Sequence, residues 1–155
     1  MGMKLSSFLP REGVVSHLSA QSGEEVLREL ARALALADPA LNDDEVRAVL
    51  EEREKLGSTG IGSGVAIPHG KLPSAKKIVA CFGRSEKGID FQSQDGELAY
   101  LFFALIAPEN AAGLHLKVLA KLSRLLKDRS SRDQLMKAKD ADEIYKILSQ
   151  EDEKM

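Results

Sequence analysis

Residues 98–107 read LAYLFFALIA, ten consecutive positions without a charged side chain. A strand with one solvated face alternates apolar and polar residues, and this stretch does not. The run therefore predicts a strand covered on both faces, central in its sheet. Working outward, residues 77–83 (KIVACFG) form a second apolar strand, and residues 65–67 (VAI) a very short one that runs into Pro68, His69 and Gly70. A short strand is expected at 89–92 between the two longer ones, and a β-like segment at 13–18. Residues 57–64 (GSTGIGSG) are too rich in glycine for a regular element.

The flanks are helical. Ser22 with Glu25 three positions later makes a capping box, followed by Val26, Leu27, Leu30, Leu34 and Ala37 at helical spacing. Asp38-Pro39 ends that helix. Asn42 or Asp43 caps a second helix with Val46, Val49 and Leu50 on its apolar face, stopped at Gly57. From Ala111 the pattern is helical to the end: Leu114, Val118, Leu119, Leu122, Leu125 and Leu126 form a stripe, and Ile144, Tyr145 and Leu148 mark a last short helix. The tail at 150–155 is expected to fray. Helices first, strands in the middle and helices again imply an α/β fold, a single-domain sandwich with a mixed β-sheet flanked by helices. One domain spans 1–155, with an ordered core at about 5–149.

Composition narrows the function classes. The 155 residues carry 22 basic and 24 acidic side chains, a formal charge of -2, and no basic run suggests nucleic acid. No apolar stretch approaches the roughly 20 residues that span a bilayer, so stable membrane insertion is not expected. Residues 1–6 (MGMKLS) fit the loose myristoylation pattern, but Met3 serves equally well as a start, and the cytoplasm is the expected compartment. The single cysteine, Cys81, lies in an apolar run and reads as a small core residue. Three scattered histidines and one cysteine lack metal-ligand spacing, so neither metal nor cofactor is expected.

The densest chemical signal is GSTGIGSGVAIPHGK at 57–71. It is not a P-loop, because no Gly-Lys-Ser/Thr end leads into a helix. Gly60, Gly62 and Gly64 have the wrong spacing for a dinucleotide fingerprint. Ser63, directly after Gly62, does not fit a nucleophile elbow. What remains is His69 between a proline and a glycine, beside a glycine loop. Neutral imidazole is a competent nucleophile near pH 7, although a turn histidine without a role is equally compatible with this segment alone. Arg53 continues the apolar face of the second helix, where a guanidinium calls for an anion or a snorkelling path to water. Its neighbours Glu52, Glu54 and Lys55 read as solvated charges. His115 sits near the start of the long helix, where free N–H groups favour an anion and a neutral imidazole, or else it is a satisfied core residue. His17 has no such context and reads as structural.

These residues carry a resemblance. Residues 53–71, then 101–108 (LFFALIAP), His115, Leu116 and Leu119 are similar to the enzyme IIA domains of the fructose and mannitol class of the bacterial phosphotransferase system. Within that class the chain most resembles the stand-alone nitrogen-regulatory branch. The resemblance implies that His69 is phosphorylated, at Nε2, that His115 hydrogen-bonds the phosphoryl group, and that Arg53 neutralises charge at the same site. Mannitol-type members have a glutamate where this chain has Ser63, a departure that points to the regulatory branch. The resemblance also implies the phosphocarrier HPr, or its nitrogen-branch counterpart, as donor, with enzyme I upstream. The phosphoryl group would then serve an unidentified regulatory target or a sugar-specific IIB domain. A binding module that kept the fold without the phosphorylation is the third reading. The absence of a fused IIB or HPr region leans toward the regulatory role.

Overall fold

The computed structural model describes residues 4–154. Residues 1–3 and 155 lie outside it, and with them most of the myristoylation pattern. Two 3₁₀ turns, Leu5–Ser7 and Arg11–Gly13, lead into β1 (Val14–Val15). Helices α1 (Gly23–Ala37) and α2 (Asp43–Lys55) follow, then β2 (Gly60–Gly62), β3 (Val65–Ala66), β4 (His69–Leu72), β5 (Val79–Ile89) and β6 (Ala99–Pro108). Three helices close the chain: α3 (Ala112–Lys127), α4 (Arg129–Lys137) and α5 (Ala141–Glu153).

The sheet is mixed. Its order is β1-β5-β6-β3-β2, and β4 also pairs with β6. The strand expected to be central is central: β6 runs antiparallel to β5 and parallel to both β3 and β4. Its side chains alternate between two cores. Leu101, Phe103, Leu105 and Ala107 pack with Val118, Leu122, Leu126, Ile144 and Leu148 of α3 and α5. Phe102, Ala104 and Ile106 pack with Val26, Leu30, Leu34, Val46 and Leu50 of α1 and α2. Each apolar face of the sheet is thus buried under helices, the usual reason for a continuous apolar strand.

Local caps set the helix starts. Ser22 Oγ accepts from the Glu25 N–H at 3.2 Å, and Glu25 reaches back to the Gln21 N–H at 3.1 Å, a capping box shifted by one donor. Asn42, not Asp43, caps α2, accepting from the Glu45 N–H at 3.1 Å. Asp128 and Asp140 cap α4 and α5.

Four expectations need correction. The glycine-rich stretch does form a regular element: β2 and β3 make a tight hairpin turned by Ser63 (φ 58°) and Gly64 (φ 80°), the positive-φ pair of a primed turn. No separate strand occupies 89–92, because β5 continues through a register shift and ends at Ile89. The final helix does not fray at 150; it runs to Glu153, where Asp152 accepts the Leu5 N–H at 2.7 Å and pairs with Lys121. The 13–18 segment contributes only the two residues of β1.

Candidate active site

His69 opens β4, opposite Leu105 of β6 in parallel register. The chain reaches it through an interruption: β3 ends at Ala66, and Pro68 has no N–H to give to a ladder. The Pro68 carbonyl still accepts the Leu105 N–H at 2.9 Å, so β3 and β4 follow β6 as one broken strand. At the break the Ile67 carbonyl is free to turn toward His69, and Nδ1 lies 2.8 Å from it. Since a carbonyl only accepts, Nδ1 carries the proton and Nε2 keeps a lone pair. The next residue must be glycine for packing: a Cβ built on Gly70 would overlap Val49 Cγ1 of α2.

α3 brings the second histidine. It starts at Ala112 after Ala111, without the side-chain cap that the other four helices have. Its first N–H groups therefore remain available to an anion. His115 lies on this first turn, 5% exposed, with Nε2 buried and unpartnered among the described residues. Buried polar atoms are normally paired, and leaving one unmade costs about 1–3 kcal/mol. The two imidazoles face each other edge-on, their centroids 5.4 Å apart.

Both rings favour the neutral form. Burial lowers the pKa of His69, its bond to the Ile67 carbonyl raises it, the Arg53 charge lowers it and Glu54 raises it. Burial pushes His115 down to about 4, helped by the Lys71 charge and by repulsion from His69 whenever that ring is protonated.

Around them lies an open depression of about 620 Å³ lined by Val49, Arg53, Leu56, Lys71, His115 and Leu116, among others. Leu56 is 85% exposed and Leu116 68%. A charged centre inside an exposed apolar rim suits a protein partner more than a small solute. Arg53 is half-buried as its helical position predicted, and its guanidinium donates to the Gly57 carbonyl at 2.8 Å.

The structure thus brings His69, His115 and Arg53 to one depression. His17 is elsewhere, exposed and 3.1 Å from Glu86. Cys81 is fully buried, its thiol pushed up to about 12 by burial, which matches its core reading. Glu54 is the residue the sequence misled on. It is half-buried rather than solvated, and accepts both the N–H and the hydroxyl of Thr59. A threonine five positions on, just past the helix stop, is the only sequence hint of that pairing. Among the described residues no cluster of three ligand-type side chains could hold a metal, and no helix is long and apolar enough to cross a membrane.

Residues 7–151 match the family model described as phosphoenolpyruvate-dependent sugar phosphotransferase system, EIIA 2. The chain belongs to this EIIA family. Among EIIA relatives, the nitrogen regulatory protein of Bradyrhizobium diazoefficiens is 43% identical over 95% of both chains. The fructose-specific EIIABC component of Bacillus subtilis is 35% identical over 97% of this chain, which spans 24% of that longer protein. The crystal structure of nitrogen regulatory protein IIA-Ntr from Neisseria meningitidis superposes with a TM-score of 0.86 at 36% identity, covering 93% of this chain and 98% of that one. The EIIA fold, a mixed sheet between helices, is the one expected from the sequence.

Proposed function

We propose that this EIIA chain is a phosphocarrier: Nε2 of His69 accepts a phosphoryl group from a phosphohistidine on an HPr-like protein and later passes it on. The observation that carries this reading is the bond from His69 Nδ1–H to the Ile67 carbonyl, which leaves Nε2 as the nucleophilic atom. In the transfer the donor's N–P bond breaks as the bond from Nε2 to phosphorus forms. The attacking nitrogen loses no proton, and the Nδ1 proton stays on Nδ1, donated to the Ile67 carbonyl. Positioning and charge neutralisation do the remaining work. The Arg53 guanidinium, the free N–H groups at the start of α3 and Lys71 supply positive potential to the phosphoryl oxygens. The buried Nε2 of His115 gains the partner it lacks when a phosphoryl oxygen arrives.

A regulatory role fits better than transport. The 43% likeness to a nitrogen regulatory protein covers nearly all of both chains, and Ser63 stands where mannitol-type members have glutamate. Transfer to a IIB domain is the second reading. It is favoured by a 25% identical neighbour (TM-score 0.74), enzyme IIAMTL of Escherichia coli solved in complex with phosphorylated enzyme IIBMTL. The test is intact-mass analysis of wild type and His69→Ala after incubation with phosphoenolpyruvate, enzyme I and HPr. One acid-labile adduct on wild type alone supports the phosphocarrier; wild type without an adduct leaves only the binding-module reading.

A further inference from the structure

Two consecutive residues at the end of α2 grip the loop that follows. Arg53 holds the Gly57 carbonyl, and Glu54 takes the N–H of Thr59 at 3.0 Å together with its hydroxyl. The grip extends to the site. Thr59 is buried, and its carbonyl accepts the Ile67 N–H at 3.0 Å. The Ile67 carbonyl, in turn, accepts from His69 Nδ1 at 2.8 Å. A carboxylate on α2 is thus joined, through the peptide groups of Thr59 and Ile67, to the ring nitrogen opposite the attacking one.

The connection matters because Ile67 lies in the gap between β3 and β4, where β6 does not pair with it. Its N–H goes to the Thr59 carbonyl, one pair beyond Gly60 and Ala66 of the β2–β3 hairpin, so Thr59 is what holds it. Free histidine favours the Nε2–H tautomer, whose Nε2 has no lone pair for attack. The productive tautomer is therefore imposed by whatever holds the opposing acceptor still. We propose that Glu54 is a positioning residue: by anchoring Thr59 it keeps the Ile67 carbonyl against His69 Nδ1–H and so fixes Nε2 as the nucleophile. This rests on the reading of His69 as the phosphoryl acceptor.

The experiment is long-range ¹H–¹⁵N NMR of the His69 ring at pH 8, in wild type, Glu54→Gln and Thr59→Val, with phosphorylation by HPr timed in parallel. Wild type should hold the Nδ1–H tautomer. Glu54→Gln should shift the tautomer ratio toward Nε2–H by about tenfold, the size of one lost charge-assisted hydrogen bond, and slow phosphorylation by a similar factor. Thr59→Val keeps the N–H and loses the hydroxyl, so its shift should be smaller and in the same direction. A folded Glu54→Gln protein with the wild-type ratio overturns the proposal, as does a wild type that already favours Nε2–H. If Glu54→Gln does not fold, Thr59→Val decides by the same criterion. The tautomer is read without phosphate, so a wild type that takes no phosphoryl group while its variants shift tautomer refutes the acceptor reading and leaves the positioning role standing.

Discussion

The imidazole of His115 stands edge-on to that of His69, the ring planes inclined at 75° and the centroids 5.4 Å apart. Two imidazoles this close resist carrying charge together, and burial disfavours charge on either. The pair is therefore arranged as two neutral rings, one with an unprotonated Nε2 and the other with a buried nitrogen that has no partner among the described residues.

Replacing His115 should separate stability from function. His115→Leu removes a buried unpartnered nitrogen and fills a similar volume. Thermal or urea unfolding should find the variant about 1 kcal/mol more stable than wild type. Phosphorylation by HPr should be slower by roughly 10²-fold, the usual loss on removing one donor to a developing anion. A variant phosphorylated at the wild-type rate would remove His115 from the proposed chemistry.

Acid should unfold the protein through the same residue. The folded pKa of His115, about 4, lies below the ordinary imidazole value of 6.5. Between those values the unfolded chain binds the proton and the folded one does not, so stability falls as pH drops. The full stabilisation is present above about pH 6.5, and on the order of 3 kcal/mol is lost by about pH 4. His69, also lowered, adds to the loss in the same direction. Urea titrations from pH 7 to 4 should show this slope in wild type and a shallower one in His115→Leu.

Gly70→Ala should destabilise by about 1–3 kcal/mol, because its Cβ overlaps Val49 across the contact between β4 and α2. Shortening the neighbour in a Gly70→Ala, Val49→Ala double variant should recover part of that loss. Additive losses in the urea cycle would contradict the packing explanation.

Arg84 is buried to 2% exposure, with no carboxylate partner among the described residues. Its guanidinium donates to the Ser16 carbonyl at 3.0 Å and, at the end of α4, to Leu135 at 2.9 Å and Ala138 at 2.5 Å. Arg84→Met should cost about 3 kcal/mol in urea unfolding and increase hydrogen exchange at residues 135–140. Arg84→Lys should rescue little, lacking the planar fork that reaches several carbonyls. The rate of phosphorylation of the folded variant should not change.

What the sequence made legible was what local rules control. The caps at Ser22 and Asn42 satisfy N–H groups three residues on, and β6 announces its double coverage by composition alone. His69, His115 and Arg53 stood out because each conflicted with its local pattern. The misses depend on partners outside the local pattern, some near and most distant. β2 and β4 are three and four residues long, and β4 becomes a strand only through β6, more than thirty positions later. Glu54 looked solvated because helical periodicity says nothing about a threonine beyond the helix stop. Arg84 lies just past the apolar run of β5 at 79–83, and its carbonyl partners at the end of α4 are 51 to 54 positions away. Asp152 holds the end of α5 through a bond to Leu5, 147 positions earlier.

The central claim is that Nε2 of His69 takes the phosphoryl group. The most direct measurement is ¹⁵N NMR of the histidine-labelled protein before and after incubation with phosphoenolpyruvate, enzyme I and HPr, which identifies both the residue and the nitrogen that bonds to phosphorus. The prediction is a single phosphohistidine at His69, bonded through Nε2, with Nδ1 still protonated against the Ile67 carbonyl. Phosphorus on Nδ1, on another residue, or on none with any cognate donor would contradict it.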